Sequence, residues 1–231
     1  MSPASETAYT RTPRTTLKRL AARGRYDRAA VHAILDEGLV CHVAFVADGA
    51  PVVLPTAYAR VGESIYLHGS SSNRMLRSLV SGAPACITVT LVDGLVLARS
   101  AFHHSMNYRC VVMFGTGERV TDPDERTRAL AAVVDHIVPG RRAFVRPPNR
   151  EESLQTLVVR FALVEVSVKE RMGGPIDDEE DHALDVWAGT IPLRLTPGAP
   201  VDDPLVPPPR EAPEHARTWH RPARESDEHA R

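Results

Sequence analysis

The chain has 231 residues, of which 43% are hydrophobic and 5% aromatic, and its formal net charge is −1. That length suits one substantial soluble core, and the near-zero charge removes any general attraction to nucleic acid or to an anionic membrane. No apolar run approaches the ~20 residues that span a bilayer, and Met1–Lys18 lacks the apolar stretch of a signal peptide, so a cytoplasmic protein with no membrane partner is expected. Cys41, Cys86 and Cys110 are odd in number and lie in apolar, strand-like surroundings. They read as buried free thiols, and no metal site is expected from them.

In chain order, residues 1–25 are polar and rich in serine, threonine and proline, the composition of a flexible N-terminal arm. Asp27 is placed to cap a helix whose apolar face is Ala30, Val31, Ile34 and Leu35, with Gly38 to end it. Leu39–Val46 and Pro51–Ala59 are strand-like around Asp48-Gly49, a hairpin signal. Ser64–His68 predicts a third strand, Asn73–Ser81 a helix closed by Gly82. Cys86–Val92 and Leu95–Arg99 flank Asp93-Gly94 as a further predicted hairpin. Tyr108–Phe114 reads as a strand continuing through Val120, and Asp122-Pro123 opens a second amphipathic helix that Pro139-Gly140 ends. Arg141–Arg150 is expected to be a solvated basic loop, and Leu157–Val168 one long last strand. From Thr196 onward stand eight of the nineteen prolines, so residues 196–231 are expected to be an extended tail, or one that drapes over a partner. Many short strands and few helices predict a mainly β, α+β fold: an antiparallel barrel with peripheral helices across residues 26–195.

Two segments concentrate chemistry. Gly69-Ser70-Ser71-Ser72-Asn73-Arg74 lies between a strand and a helix, offering hydroxyls, accessible backbone N–H groups and a forked cation, the equipment of a phosphate site. The same residues also suit an ordinary helix cap. Arg99–Arg109 contains His103, His104, Ser105, Asn107, Tyr108 and Arg109 in one strand-to-strand connection. No Gly-x-Ser-x-Gly elbow supports serine–histidine hydrolysis, and the adjacent histidines lack the i, i+4 spacing of a helical metal pair. A polar hairpin end is the plain structural alternative.

Taken together, Val52–Tyr58, Tyr66–Ser70 with Asn73-Arg74-Met75, and Asp93–Arg109 resemble the pyridoxamine 5′-phosphate oxidase-like superfamily. The nearer likeness is to its flavin-nucleotide-binding, nitroimidazole reductase-like branch. The resemblance runs from about Arg23 to Leu195 and includes Asp185–Leu193. It implies an FMN-binding split β-barrel that is a homodimer with flavin at the interface. It also implies that Val53, Leu54, Pro55, Thr56 and Ala57 line the isoalloxazine. Gly69, Ser70, Ser71, Ser72 and Arg74 would meet the phosphate, and Ser105, Asn107, Tyr108, Arg109 and Trp187 would approach the cofactor. Members that oxidise pyridoxamine phosphate carry an arginine–aliphatic–histidine–x–arginine cluster after their tryptophan; between Trp187 and Leu195 this chain has only Arg194, and no such cluster follows, so that substrate is expected to be poor. The expected function is FMN-dependent oxidoreduction of a small molecule, with His103 or His104 delivering a proton or anchoring substrate. A non-catalytic flavin-binding or storage protein is the alternative, and deazaflavin or haem in place of FMN stays open.

Overall fold

The computed structural model describes residues 7–206 and 210–221. The outer parts of the expected arm and tail, residues 1–6, 207–209 and 222–231, lie outside the described residues. A two-residue strand β1 (Gly24–Arg25) precedes helix α1 (Arg28–Glu37). Asp27 accepts a hydrogen bond from the Ala30 amide at its start, and Val31, Ile34 and Leu35 form its buried face. Strands β2 (Val40–Ala47) and β3 (Ala50–Ala57) pair across Asp48 and Gly49, at φ 52° and 77°. Both turn residues are left-handed, as the two-residue hairpin of this twist requires.

Strands β4 (Ala59–Val61) and β5 (Ser64–Ser70) are followed by helix α2 (Arg74–Val80), then β6 (Ala85–Leu97), β7 (Ser105–Gly115) and β8 (Gly117–Arg119). Helix α3 (Pro123–Ile137), the short helix α4 (Arg150–Gln155), β9 (Thr156–Ala162), β10 (Glu165–Arg171) and β11 (Gly189–Pro192) follow, with a last turn of helix, α5 (Glu214–Arg217). One sheet has the order β1-β10-β7-β6-β2-β3, with β11 also on β6; the other has the order β4-β5-β9-β8. The strand pairings are antiparallel. The two sheets enclose one core, to which Val43, Ile87 and Met113 come from the first and Ile65, Leu67 and Phe161 from the second, with Leu76 and Leu79 of α2 closing an end. This is the mainly β, split-barrel arrangement expected.

Three expected boundaries are corrected, the first being the strand expected from Tyr108 through Val120, which breaks at Thr116 into β7 and β8 of different sheets. Asp93-Gly94 does not turn the chain: β6 runs straight through it, with only a register shift between Val92 and Gly94 against β7. Asp93 is drawn into an ion cluster there, and a Cβ at Gly94 would lie 3.0 Å from the Ile191 carbonyl oxygen of β11. The predicted strand Leu157–Val168 is two strands, which break at Leu163-Val164 and enter different sheets. The ends of the chain are also more engaged than their composition suggests. Tyr9 is buried and its amide bonds the Tyr26 carbonyl, while Arg14 grips Glu165 through two hydrogen bonds. In the tail, the Trp219 indole N–H donates to the Ile137 carbonyl and Arg221 donates to that of Glu37.

The ion cluster centres on Arg109 of β7. Its Nε and Nη2 donate to Asp93 at 2.8 and 2.7 Å, and its Nη1 and Nη2 to Glu37 at 2.5 and 3.0 Å. Burial disfavours the charge, but the hydrogen bonds to Asp93 and Glu37 outweigh it and raise the guanidinium pKa. Replacing Arg109 by methionine leaves two carboxylates facing each other, with only the longer contact of Arg221 to Glu37, at 3.7 Å, to offset them. The variant is expected to lose about 3 kcal/mol of stability, read by urea unfolding; a loss below about 1 kcal/mol, the range of a surface pair, would show the cluster to be solvated.

Candidate functional site

Strand β3 is an outer strand of its sheet, and it carries Val53, Leu54, Pro55, Thr56 and Ala57. Val53 is 57% and Leu54 39% exposed. Pro55 has no N–H to offer a further strand, as befits an edge position. The remaining backbone groups along that side are available for a ligand or a second chain.

In the serine turn, the Ser70 and Ser72 hydroxyls are 2.8 Å apart and Ser70 Oγ also accepts from the Ser72 amide. The Ser71 amide is used by the Gln155 carbonyl. Asn73 is the cap of α2, its Oδ1 accepting from the Leu76 amide. Gly69 passes close to α2, where an added Cβ would lie 3.2 Å from Leu76 Cδ1. Arg74 is exposed, and its ion pair among the described residues is a long one to Asp48, at 3.7 Å. The turn therefore holds a cap and, beside it, two hydroxyls and a weakly held guanidinium able to meet an anion.

The second dense segment is dispersed by the fold. His103 Nε2 lies 3.1 Å from Asp178 and His104 Nδ1 lies 2.9 Å from the Ser100 carbonyl oxygen, so both imidazoles close loops. Beside them Arg99 binds the buried Asp177 through its amide and its Nη1. Asn107 donates to the Gly173 carbonyl and accepts from Arg171. Arg109, expected at the cofactor, sits in the buried cluster, where Glu37 and Asp93 accept four hydrogen bonds from it. Ser105 and Tyr108 are half-buried on β7. Trp187 is 66% exposed, its ring packed over Gly189 at the start of β11.

A site residue that the sequence reading passed over is His68. On β5, Ile65 and Leu67 point into the barrel core, whereas Tyr66 belongs to a second small cluster with Val120, Ala129 and Val158. The period of two puts His68 on that same outer side. It lines a cleft of about 670 Å³ whose other walls are α3, through Leu130, Val133 and Val134, and the loop carrying Val145, Pro147 and Pro148. Its Nδ1 is buried with no hydrogen-bond partner among the described residues. Arg126, Arg142 and Arg146 stand in the walls. Arg126 bonds the Ser153 and Thr156 carbonyl oxygens, and Arg146 pairs with Glu152 at 2.6 Å. Hydrogen bonds from Arg146 and from the Asn149 amide bring the Glu152 carboxyl down to about 2. An imidazole with a buried, unpartnered ring nitrogen in an apolar slot can act as a ligand or as a neutral base, while the guanidinium groups of the walls are held by Ser153, Thr156, Asp135 and Glu152.

The sequence model of pyridoxamine 5′-phosphate oxidases matches residues 27–170. The chain belongs to that family. A flavocytochrome, Anf3 from Azotobacter vinelandii, is similar at 38% identity with a TM-score of 0.84, over 90% of this chain and 97% of its own. The FAD and haem binding protein from Mycobacterium smegmatis is similar at 38% identity with a TM-score of 0.82, over 86% of this chain and 97% of its own. A candidate 5-nitroimidazole antibiotic resistance protein from Bacteroides thetaiotaomicron shares the fold at 20% identity and a TM-score of 0.51, over 62% and 83%. No curated protein matches the chain. Among the described residues of this pyridoxamine 5′-phosphate oxidase family member, no helix is long and apolar enough to cross a membrane.

Burial pushes the His68 pKa down from the ordinary 6.5. The imidazole thus stays neutral in the fold while the unfolded chain takes up a proton as pH falls through 6.5. Below that value the unfolded state binds more protons and stability declines, until pH passes the depressed folded value. In the ligand-free protein, the stability advantage of the native chain over His68→Leu should therefore shrink between about pH 7 and pH 5. Chemical denaturation at several pH values measures it; a difference that stays flat would show an ordinary, solvated histidine.

Proposed function

We propose that this chain is a flavin-dependent redox protein that also carries haem in the cleft beside His68. The observation that carries the proposal is His68 itself: a buried ring nitrogen without a partner, in an apolar slot of cofactor size. The two relatives at 38% identity are a flavocytochrome and an FAD and haem binding protein, which supports both groups together. His68 would hold the haem iron through a ring nitrogen, kept neutral by burial, and Arg126, Arg142 and Arg146 would face carboxylates at the rim. Flavin supplies hydride and single-electron transfer, and haem single-electron and dioxygen chemistry, when bound.

For the flavin, the family supports binding at the serine turn. Ser70 and Ser72 would donate to the phosphate and Arg74 would add its fork. The backbone edge of β3 would face the ring, with Asn107, Tyr108 and Trp187 nearby. The apolar exposure of Val53, Leu54 and Met106 supports a homodimer with flavin between the subunits. FMN is the form the resemblance implies. His103 and His104 remain candidates for contact with a small-molecule substrate, since each holds its loop by one ring nitrogen and, among the described residues, leaves the other without a hydrogen bond. The storage-protein alternative is separated by adding NADH or NADPH without oxygen: bleaching of the flavin supports an oxidoreductase, lasting colour a binder.

Protein produced with ample haem should show a haem absorption band that His68→Ala loses while flavin absorbance stays. Full haem content in that variant would remove His68 from the site. Arg74→Ala should weaken FMN binding about ten- to a hundredfold, the value of one charge-assisted hydrogen bond, and leave riboflavin binding unchanged. An equal loss for both flavins would place the phosphate elsewhere.

A further inference from the structure

The loop that walls the His68 cleft on its outer side has two sides of its own. Arg142, Val145, Arg146, Pro147 and Pro148 line the cleft. Arg141 and Phe144 of the same loop, with Ile137 and Val138 at the end of α3, line a groove of about 850 Å³ under the tail. Residues 141–150 are all exposed, so the loop puts no side chain into the core to hold itself in place. Its own ties are local: the Arg141 amide donates to the Val138 carbonyl at 3.1 Å, the Arg142 amide to Asp135 at 3.3 Å, and Arg146 pairs with Glu152. A wall held by a few solvated hydrogen bonds belongs to the low-stability end of a fold.

The tail adds a hold from outside. Ala212, Pro213, His215, Ala216 and Trp219 are half-buried and line the groove, while Glu214, Arg217 and Thr218 between them are exposed. That spacing is the stripe of a helical face. The His215 ring packs on Phe144 with centroids 4.7 Å apart, and its Nε2 lies 3.5 Å from Arg141 Nη1. The Trp219 indole donates at 2.8 Å to the Ile137 carbonyl, one of the last carbonyls of α3, which the helix itself leaves without a donor. Two residues on, Arg221 donates to the Glu37 carbonyl at the end of α1. The tail thus ties the loop, α3 and α1 in turn, by contacts that are few and half-solvated. Such contacts make a strap that can lift, not a part of the core.

We infer that the tail is a strap on the His68 cleft. Docked, it holds the loop against α3 and keeps the cleft closed around its ligand; lifted, it frees the loop to swing out and the ligand to exchange. The inference rests on the haem reading above for the identity of the ligand, and on the contacts of the loop and tail for the strap itself.

The test uses the full-length chain, native and carrying Trp219→Ala, His215→Ala or, as a control on the exposed face of the tail, Arg217→Ala. Hydrogen exchange in the ligand-free protein, followed on peptides covering residues 138–149, should be about tenfold faster in Trp219→Ala, the loss expected for one hydrogen bond and part of the buried indole surface. It should also be faster in His215→Ala, with β6 and β7 unchanged and Arg217→Ala like the native chain. Transfer of haem from loaded protein to excess apomyoglobin should quicken about tenfold in Trp219→Ala, while the absorption spectrum of the haem still bound stays native. Unchanged loop exchange in Trp219→Ala and His215→Ala would overturn the strap, and so would exchange that quickens equally along the whole chain, the mark of a merely stabilising tryptophan. Faster loop exchange with unchanged haem transfer would overturn it as well, because the loop would then be no barrier to the ligand. Native protein that takes up no haem would overturn the haem reading, and the exchange comparison would still decide whether the tail holds the loop.

Discussion

Glu37 is the last residue of α1, Asp93 stands at the irregularity of β6, and Arg109 between them belongs to β7. A guanidinium so enclosed is tolerable only while both carboxylates are present, because removing one partner of a buried pair costs several times what an exposed pair is worth. The helix end and the strand irregularity must therefore form together. That irregularity is also where β6 changes neighbours: its first half pairs with β2, and from Gly94 onward it pairs with β11. Through Glu37 the same cluster reaches the tail, since Arg221 binds the Glu37 carbonyl. Arg171 is buried as well, yet its donors go to the neutral oxygens of Asn107, Gly173 and Gly174. One cation locks secondary elements to each other, and the other shapes the chain leaving β10.

What the sequence made legible were features decided within a few residues. Asp27 and Asn73 are side-chain caps, Asp48-Gly49 is a tight hairpin, and Val31, Ile34 and Leu35 face inward, each following from local geometry. Asp93-Gly94 has the same local signature as Asp48-Gly49 and a different fate. Its fate is set by Arg109 and Glu37, far away in the chain, which no window around residue 93 contains. Leu157–Val168 failed for a related reason, because a strand that leaves one sheet for another keeps its alternation of apolar residues throughout. The cofactor-facing expectation for Arg109 came from family pattern, while the side chain is used where charge neutralisation requires it. His68 was hidden in plain view: a histidine between Leu67 and Gly69 looks like an ordinary strand residue until α3 is laid across that side of the sheet.

Strand β5 connects the two candidate sites. Its inward residues build the core, its outward residues Tyr66 and His68 meet the space under α3, and its end becomes the serine turn. Only Gly69 separates His68 from Ser70, and Arg126 of α3 lines both the His68 cleft and a smaller cleft at Ser71. Arg126 is held in place by the Ser153 and Thr156 carbonyl oxygens at the α4–β9 junction. A shift of α3 would thus be felt at both clefts at once.

The edge of β3 puts a different demand on the molecule. Natural sheets protect an outer strand with charge, proline or a covering element. Here Pro55 interrupts the hydrogen-bonding row, but Val53 and Leu54 on the same strand are apolar and uncovered, and Val40 and Val46 of the adjoining β2 are exposed too. Left bare, such a strand invites unspecific pairing. Nothing in the described chain folds over it, since the tail goes to α3 and the end of α1 instead. A second copy with flavin set between, as proposed, meets both needs of this edge: its apolar side chains gain a partner surface, and its free backbone groups gain a polar ring to bond. On that reasoning the same residues that would make the lone subunit prone to aggregate are the ones that would make the cofactor site, so assembly and flavin binding are two aspects of one requirement.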